Sequence, residues 1–563
     1  MAKFTTAFVV LWLGLTFGPP VIAGAPEAII PPAQFEPPPW PEWVLTHWVW
    51  EHELFTTESA IELVKGYIDR GIPTGATIID SRWQTGYNTF EFDRLRYPDP
   101  YAMIDALHQL DVRVFLWITS MVNVDAPTYE EAWSRNFLLN GGRTVRWWHG
   151  EGSFLDYTHP EALAWWHGLM DNVLSLGIDG WKTDGTDPYT LLLIIPHGYA
   201  GIITPREYSN YYYRDFYEYT RRQLGNDRVI MSRPIDSLEG FLSYTFAPRD
   251  VCHAGWVGDQ DPTFAGLRVA LSNMFASARA NYVNFGSDIA GYRGGGLREK
   301  PLFIRWTQLG ALCPIMENGG NGEHRPWMYD EETLQIYRAF AKLHHELIPY
   351  LYSQGADAFE QGQSLMRPQS GSWQYLLGNS IFVAAITEDV TERLVAFPPG
   401  EWIDFWSGTV YAGDTTVNYP VPLNRYPIFL RRGDMIPLRV VDDSLGHGDE
   451  ASTNFLTLLM YPAEESSFDL YEEKSGGARI VYRRANDLSI EISALEKNFI
   501  FLIRGERLPY RIIVDPHGVI PQQADRAAFS QQDQGWFWDA SRNELWVKPG
   551  AAARGLSVQI YFP

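Results

Sequence analysis

Cysteine is nearly absent from this chain: Cys252 and Cys313 are the two in 563 residues. That excludes a disulfide-built scaffold and any cysteine-rich metal module. The pair reads either as one disulfide or as two buried free thiols. Basic residues are scarce too, with 45 Lys and Arg against 68 Asp and Glu and a net charge of −23. So acidic a chain suits neither nucleic acid nor an anionic membrane surface, and favours a neutral or cationic ligand. Neither H-x-H nor H-E-x-x-H occurs, and adjacent His344 and His345 diverge on a helix, so no metal site is expected. Arg293-Gly-Gly-Gly296 lacks the strand, lysine and hydroxyl residue of a phosphate loop.

Long hydrophobic runs are equally few. The exception is N-terminal, where Lys3, the apolar stretch Ala7–Phe17 and the small-residue site Val21-Ile22-Ala23 read as a signal peptide over residues 1–23. The run is short for a membrane span, so a secreted or periplasmic protein with no membrane segment in its mature form is expected. Residues 24–42 are rich in proline, a semi-rigid tether.

What the chain has is core and aromatic surface. Hydrophobic residues make up 45%, and 22 Trp contribute to an aromatic content of 15%. Most of these rings pack the interior, but flat apolar faces also suit sugar rings. From Trp43 to about residue 354, apolar strands alternate with amphipathic helices. The strand candidates are Val44–Trp50, Ala76–Asp80, Val112–Thr119, Ile178–Thr183, Val229–Arg233, Ala254–Gly258, Tyr282–Ser287 and Leu312–Glu317. This is the pattern of an α/β fold, a parallel (β/α)8 barrel over residues 43–354. Glu331–Tyr350 reads as a last helix. Beyond it, short alternating runs between turn residues predict sandwich-like β modules, a proximal one over 355–440 and a distal one over 441–563.

Active sites of such barrels lie at the strand C-termini. Gly177-Ile-Asp-Gly-Trp-Lys-Thr-Asp-Gly185 brings a strand out at Asp184, and Gly255-Trp-Val-Gly-Asp259 does the same with Asp259. Strand one ends toward Trp50-Glu51-His52, strand two at Asp80 and Trp83, strand four at Lys182 and strand five at Arg233. Strands six to eight add Trp256, Asp288 and Glu317-Asn318. So many charges at one level are not a structural core, because buried unpaired charge is costly. Two carboxyls about 5–5.5 Å apart, one nucleophilic and one protonated, hydrolyse a glycoside with retention. Asp184, kept ionised by Lys182, fits the nucleophile; Asp259, beside Trp256, fits the acid/base whose pKa an apolar neighbour would raise. Each has a plainer alternative as a strand-end or loop cap, and Arg233 and Lys182 as ion-pair partners.

These segments resemble glycoside hydrolase family 31, retaining α-glycosidases. The resemblance is carried by Ile79-Asp80, Tyr97-Pro-Asp-Pro100, Asp184, Ser232-Arg233, Gly255–Asp259, Ser287-Asp-Ile-Ala-Gly-Tyr292, Arg305-Trp-Thr-Gln-Leu-Gly310 and Pro349-Tyr-Leu-Tyr352. In the β region it continues through Pro399-Gly-Glu-Trp402 and Tyr426–Arg431. It implies an exo-acting retaining α-glycosidase on oligosaccharides or glycosides, with no metal or organic cofactor. Asp184 would be nucleophile and Asp259 acid/base, with Asp80, Trp83, Lys182, Arg233, Trp256, Asp288 and Tyr292 lining the sugar subsite.

Three departures bear on the sugar. The family's usual β-sandwich before the barrel is not apparent, and Lys182 replaces the usual Trp two residues before the nucleophile. His324, on a longer loop after strand eight, stands in for the family's sugar-binding histidine. Lys182-Thr-Asp184 is similar to related α-galactosidases and points to an α-galactoside, with α-glucosidase, α-xylosidase and transglycosylase activities as alternatives. A carbohydrate-binding protein without catalysis is the reading from another class. The oligomeric state is not legible.

Overall fold

A computed structural model describes residues 30–31, 33–52, 55–185, 191, 194–237 and 243–563. The expected signal peptide lies outside the described residues. Eight parallel strands form the barrel: β1 (His47–Glu51), β2 (Ala76–Ile79), β3 (Arg113–Ile118), β4 (Gly180–Thr183), β5 (Val229–Ser232), β6 (Ala254–Val257), β7 (Phe285–Ser287) and β8 (Met316–Asn318). Each strand pairs in parallel with the next, β1 pairs with β8, and an Asp288–Glu317 bridge joins β7 to β8. The strands are covered on both faces, which is why they read in sequence as nearly continuous apolar runs. Strand β8 starts later than expected because Pro314, with no N–H, cannot join the ladder.

The packing between β3, β4 and β5 leaves no room at Gly180, where a Cβ would sit 2.1 Å from the Val229 carbonyl oxygen and 2.6 Å from the Phe115 ring. Gly180→Ala should therefore destabilise the fold by about 1–3 kcal/mol, as overpacked cores do, read as a lower denaturation midpoint at unchanged slope. An unchanged midpoint would mean that the β4–β5 pairing has slack this packing denies.

Helix starts follow their caps. Thr56 and Ser59 form a capping box at Thr57–Ile68, and Thr204 and Glu207 form another at Pro205–Leu224. The single helix expected over Glu331–Tyr350 is two, Glu331–Glu346 and Ile348–Glu360, because Pro349 in the first turn of the second cannot continue the first. After β3 a small antiparallel sheet of Met121–Asn123, Val145–Trp147 and Gly150–Phe154 rises from the barrel.

Antiparallel sheets follow the barrel. A six-stranded sheet contains Gln374–Leu377, Ile381–Ala384, Glu401–Asp404, Val410–Ala412 and Ile428–Arg431. A five-stranded sheet and a further six-stranded one form the distal part. Met435–Leu438, expected in the proximal module, pairs instead with Leu456–Met460 in the distal five-stranded sheet. Cys252 and Cys313 are both free and buried, so the disulfide alternative is not the one realised. Burial pushes the Cys252 thiol up to about 12. Among the described residues no helix is long and apolar enough to cross a membrane.

Candidate active site

The strand ends converge on one guanidinium. Arg233, just past β5, donates from Nε to Asp184 Oδ1 at 3.1 Å and from Nη2 to Asp259 Oδ2 at 3.0 Å. Its Nη1 pairs with Asp236, and its plane lies 4.7 Å over the buried Trp256 ring. One planar fork thus holds three carboxylates from β4, β5 and β6.

Asp184 follows β4 and is 18% exposed. Burial works to raise its pKa, but the Arg233 and Lys182 charges outweigh that and hold the carboxyl below its ordinary value of 3.8. The Trp117 indole N–H adds a donor to Asp184 Oδ2 at 3.3 Å. Asp259 is the more open carboxylate, 39% exposed. Its φ of 64° is rare for a residue with a side chain, and its N–H donates to Asp288 Oδ2 at 3.3 Å. Strain of this kind, of order 1–3 kcal/mol, persists where surroundings impose it and clusters at functional sites. The Trp256 ring lies beneath Arg233 and Lys182.

Beneath these groups is a buried polar floor. Lys182 Nζ lies 3.4 Å from the Trp50 ring centroid, 5.0 Å from that of Trp256, and 3.5 Å from Asp80 Oδ2. Burial would discharge the ammonium, but Asp80, Glu317, Asp288 and Asp184 together raise its pKa. Burial also raises Asp80, against the pull of Lys182, while the Ser81 N–H binds its Oδ1 at 2.5 Å. Glu317 is buried, accepts the Trp50 indole N–H at 2.7 Å and faces Asp288 across the β7–β8 bridge. Burial first, and the Glu317 charge second, hold Asp288 well above the ordinary carboxylate range, and burial raises Glu317 as well. Asp236 is pushed up to about 6 by burial, against Arg233.

Tyr292 joins this group, with its ring stacked on Trp50 and its hydroxyl 3.1 Å from His52 Nδ1. Two expected residues do not. Trp83 is fully buried, donates to the Trp117 carbonyl at 2.7 Å and packs on Phe92, so its ring braces β3 instead of meeting a ligand. His324 is buried behind Gly320, 2.9 Å from the Asn321 carbonyl oxygen and 3.2 Å from Arg298 Nη2. Burial pulls its pKa down to about 4. It shapes the loop after β8 and does not stand among the carboxylates.

Sequence reasoning singled out neither Asp236 nor Trp117, and left Trp148 among the rings taken to pack the interior. Asp236 is three residues beyond Arg233, a spacing that carries no motif. Trp148, next to the small sheet after β3, is 58% exposed; a Cβ on Gly185 would lie 3.4 Å from its ring. With Trp147, 4.8 Å away, and Trp117, 6.4 Å away, it makes an aromatic rim beside Asp184.

A closed parallel barrel with paired carboxylates at its strand C-termini defines a barrel protein equipped for acid/base and nucleophilic chemistry. The chain belongs to glycoside hydrolase family 31. Residues 37–354 match the family's TIM-barrel domain and residues 362–436 its C-terminal domain. Alpha-glucosidase 2 of Bacillus thermoamyloliquefaciens is 26% identical over 80% of this chain and 60% of the relative. An isomaltosyltransferase of Sporosarcina globispora is 24% identical over 84% of this chain and 46% of its own. The α-xylosidase XylQ of Lactiplantibacillus pentosus is 26% identical over 71% and 54%. The chain spans about half the length of the curated relatives it matches. Among solved structures, a Flavobacterium johnsoniae dextranase of this family, complexed with glucose, superposes with a TM-score of 0.81 at 20% identity, covering 92% of this chain and 71% of the neighbour.

Proposed function

We propose that this chain is an exo-acting, retaining α-glycosidase. The observation that carries the reading is the single guanidinium of Arg233 binding both Asp184 and Asp259. Donors on one planar fork hold the two carboxyls on the same side of the site and close to each other, as a retaining pair requires. In the proposed mechanism Asp259 protonates the glycosidic oxygen while Asp184 attacks the anomeric carbon. Asp259 then takes a proton from the water that releases the sugar. Asp80, Lys182 and Asp288 supply mixed donors and acceptors for the hydroxyls of the terminal sugar.

The relatives' names favour an α-glucoside or α-xyloside, and the galactoside expectation drawn from Lys182-Thr-Asp184 finds no support among them. Export is part of the same reading, resting on the Lys3 to Ala23 pattern. Release of nitrophenol from α-linked nitrophenyl glucoside, xyloside and galactoside tests the reading. Silence across the panel, with β-linked analogues also uncleaved, would count against it.

The exposed Trp148 indole gives the leaving group a platform. Trp148→Ala should lower kcat/KM for isomaltose about three- to tenfold, the worth of one lost ring contact. Turnover of α-glucosyl fluoride, whose leaving group has no ring, should not change. An equal loss on both substrates would make Trp148 a structural residue.

A further inference from the structure

Away from the barrel, the two β modules face each other across a cleft of about 890 Å³. The proximal module contributes Trp406, from the turn between strands Glu401–Asp404 and Val410–Ala412, and Arg432. The distal module contributes Tyr461, Arg504, Arg542 and Glu544, from strand ends and loops of its five-stranded sheet. This size is that of a ligand site, and module junctions are where such sites occur.

The cleft's chemistry is particular. Arg504 is fixed in place, donating from Nε to Glu544 Oε1 at 2.8 Å and from Nη1 to the Tyr461 hydroxyl at 3.3 Å. Glu544 is buried, yet among the described residues its Oε2 has no hydrogen-bond partner. An unsatisfied buried acceptor costs about 1–3 kcal/mol, so an acceptor left over beside a cleft points to a donor from outside. Arg432 already faces Glu401 at 3.0 Å, and Asp443 lines the cleft with Arg542. The lining is therefore close to neutral, which disfavours an anion. A neutral molecule with many hydroxyls and flat apolar faces for the Trp406 and Tyr461 rings is an oligosaccharide.

We propose that this cleft is a second carbohydrate site, which holds a neutral α-linked gluco-oligosaccharide apart from the barrel. The gluco identity rests on the glycosidase reading above; the preference for a neutral carbohydrate rests on the cleft. Such a site would keep a long substrate on the protein between successive cuts at its end.

Hydrogen exchange on the full chain carrying Asp184→Asn tests it, with isomaltopentaose as probe at about 10 mM. For a site of roughly millimolar Kd, exchange should slow about tenfold in peptides spanning 403–410 and 541–544. The double substitution Arg432→Ala/Arg542→Ala removes two exposed side chains and should abolish that protection. The same pair of changes in the otherwise unaltered chain should leave nitrophenyl α-glucoside turnover as it was. No protection in those peptides, or protection that survives the double substitution, would overturn the proposal. Peptides of the barrel rim report separately: cleft protection without rim protection would sink the glycosidase reading and leave the cleft standing.

Discussion

Asp184→Ala should lose glycoside turnover by a factor on the order of 10⁴ or more while the protein stays folded. The loss follows from chemistry, since no neighbouring carboxylate can take the anomeric carbon in its place. Asp259 is held in place by Arg233 Nη2, and Asp236 is bound by Arg233, by the Gly258 N–H and by Asn273. The retained fold follows from electrostatics. Removing Asp184 leaves Arg233 paired with Asp236 and Asp259, so no buried cation is stranded. Azide added to the variant should enter the space left by the carboxylate and give a glycosyl azide of inverted configuration. Full activity in Asp184→Ala, or activity lost only through unfolding, would remove Asp184 from the mechanism.

The same site sets a pH expectation. Asp184 is held below 3.8, so its ionised form contributes stability above the ordinary carboxylate value, lost as pH falls through the lowered folded value. The nucleophile therefore stays charged throughout the mildly acidic range, and no loss of kcat/KM between pH 5 and 7 should be traceable to it. A step there that disappears in Asp236→Asn would instead be that of Asp236, whose carboxyl sits at about 6.

The barrel was legible because strands covered on both faces leave apolar runs, most of them ending in a charge. Asp184, Asp259, Arg233 and Lys182 were legible for that reason, as abrupt charges after apolar segments. Their partnership was not: Trp117 meets Asp184 only through the closed barrel, and the i,i+3 contact of Asp236 with Arg233 follows no motif. The tryptophans show the limit best. Trp83 and Trp148 are the same residue type near strand ends, and only packing decides that Trp83 is sealed under the Trp117 backbone while Trp148 stands in solvent. The strand at Met435–Leu438 misled for a related reason: sequence adjacency placed it with one sheet, and its hydrogen bonds belong to the next.

Asp259→Asn should separate substrates by their leaving groups. An acid catalyst contributes about 10²–10⁴-fold where the departing oxygen needs a proton, as in isomaltose. Nitrophenolate leaves without one, so the first step on a nitrophenyl α-glycoside should be far less affected. The second step then limits, because the asparagine cannot take a proton from water, and glycosyl-enzyme should accumulate as a burst of nitrophenol. Azide needs no base, so it should restore turnover and yield a glycosyl azide of retained configuration, the opposite of the Asp184→Ala product. The substitution is nearly isosteric at an exposed position and should leave the Arg233–Asp184 contact in place, so stability should change by less than about 1 kcal/mol. Equal losses on both substrates, with no azide effect, would mean that Asp259 positions Arg233 and that another group supplies the proton. The backbone at Asp259 argues for the first outcome. Its left-handed φ of 64° keeps the carboxylate at the open side of the fork, where a leaving group would depart, and a residue needed only as a partner for Arg233 would not require that strain.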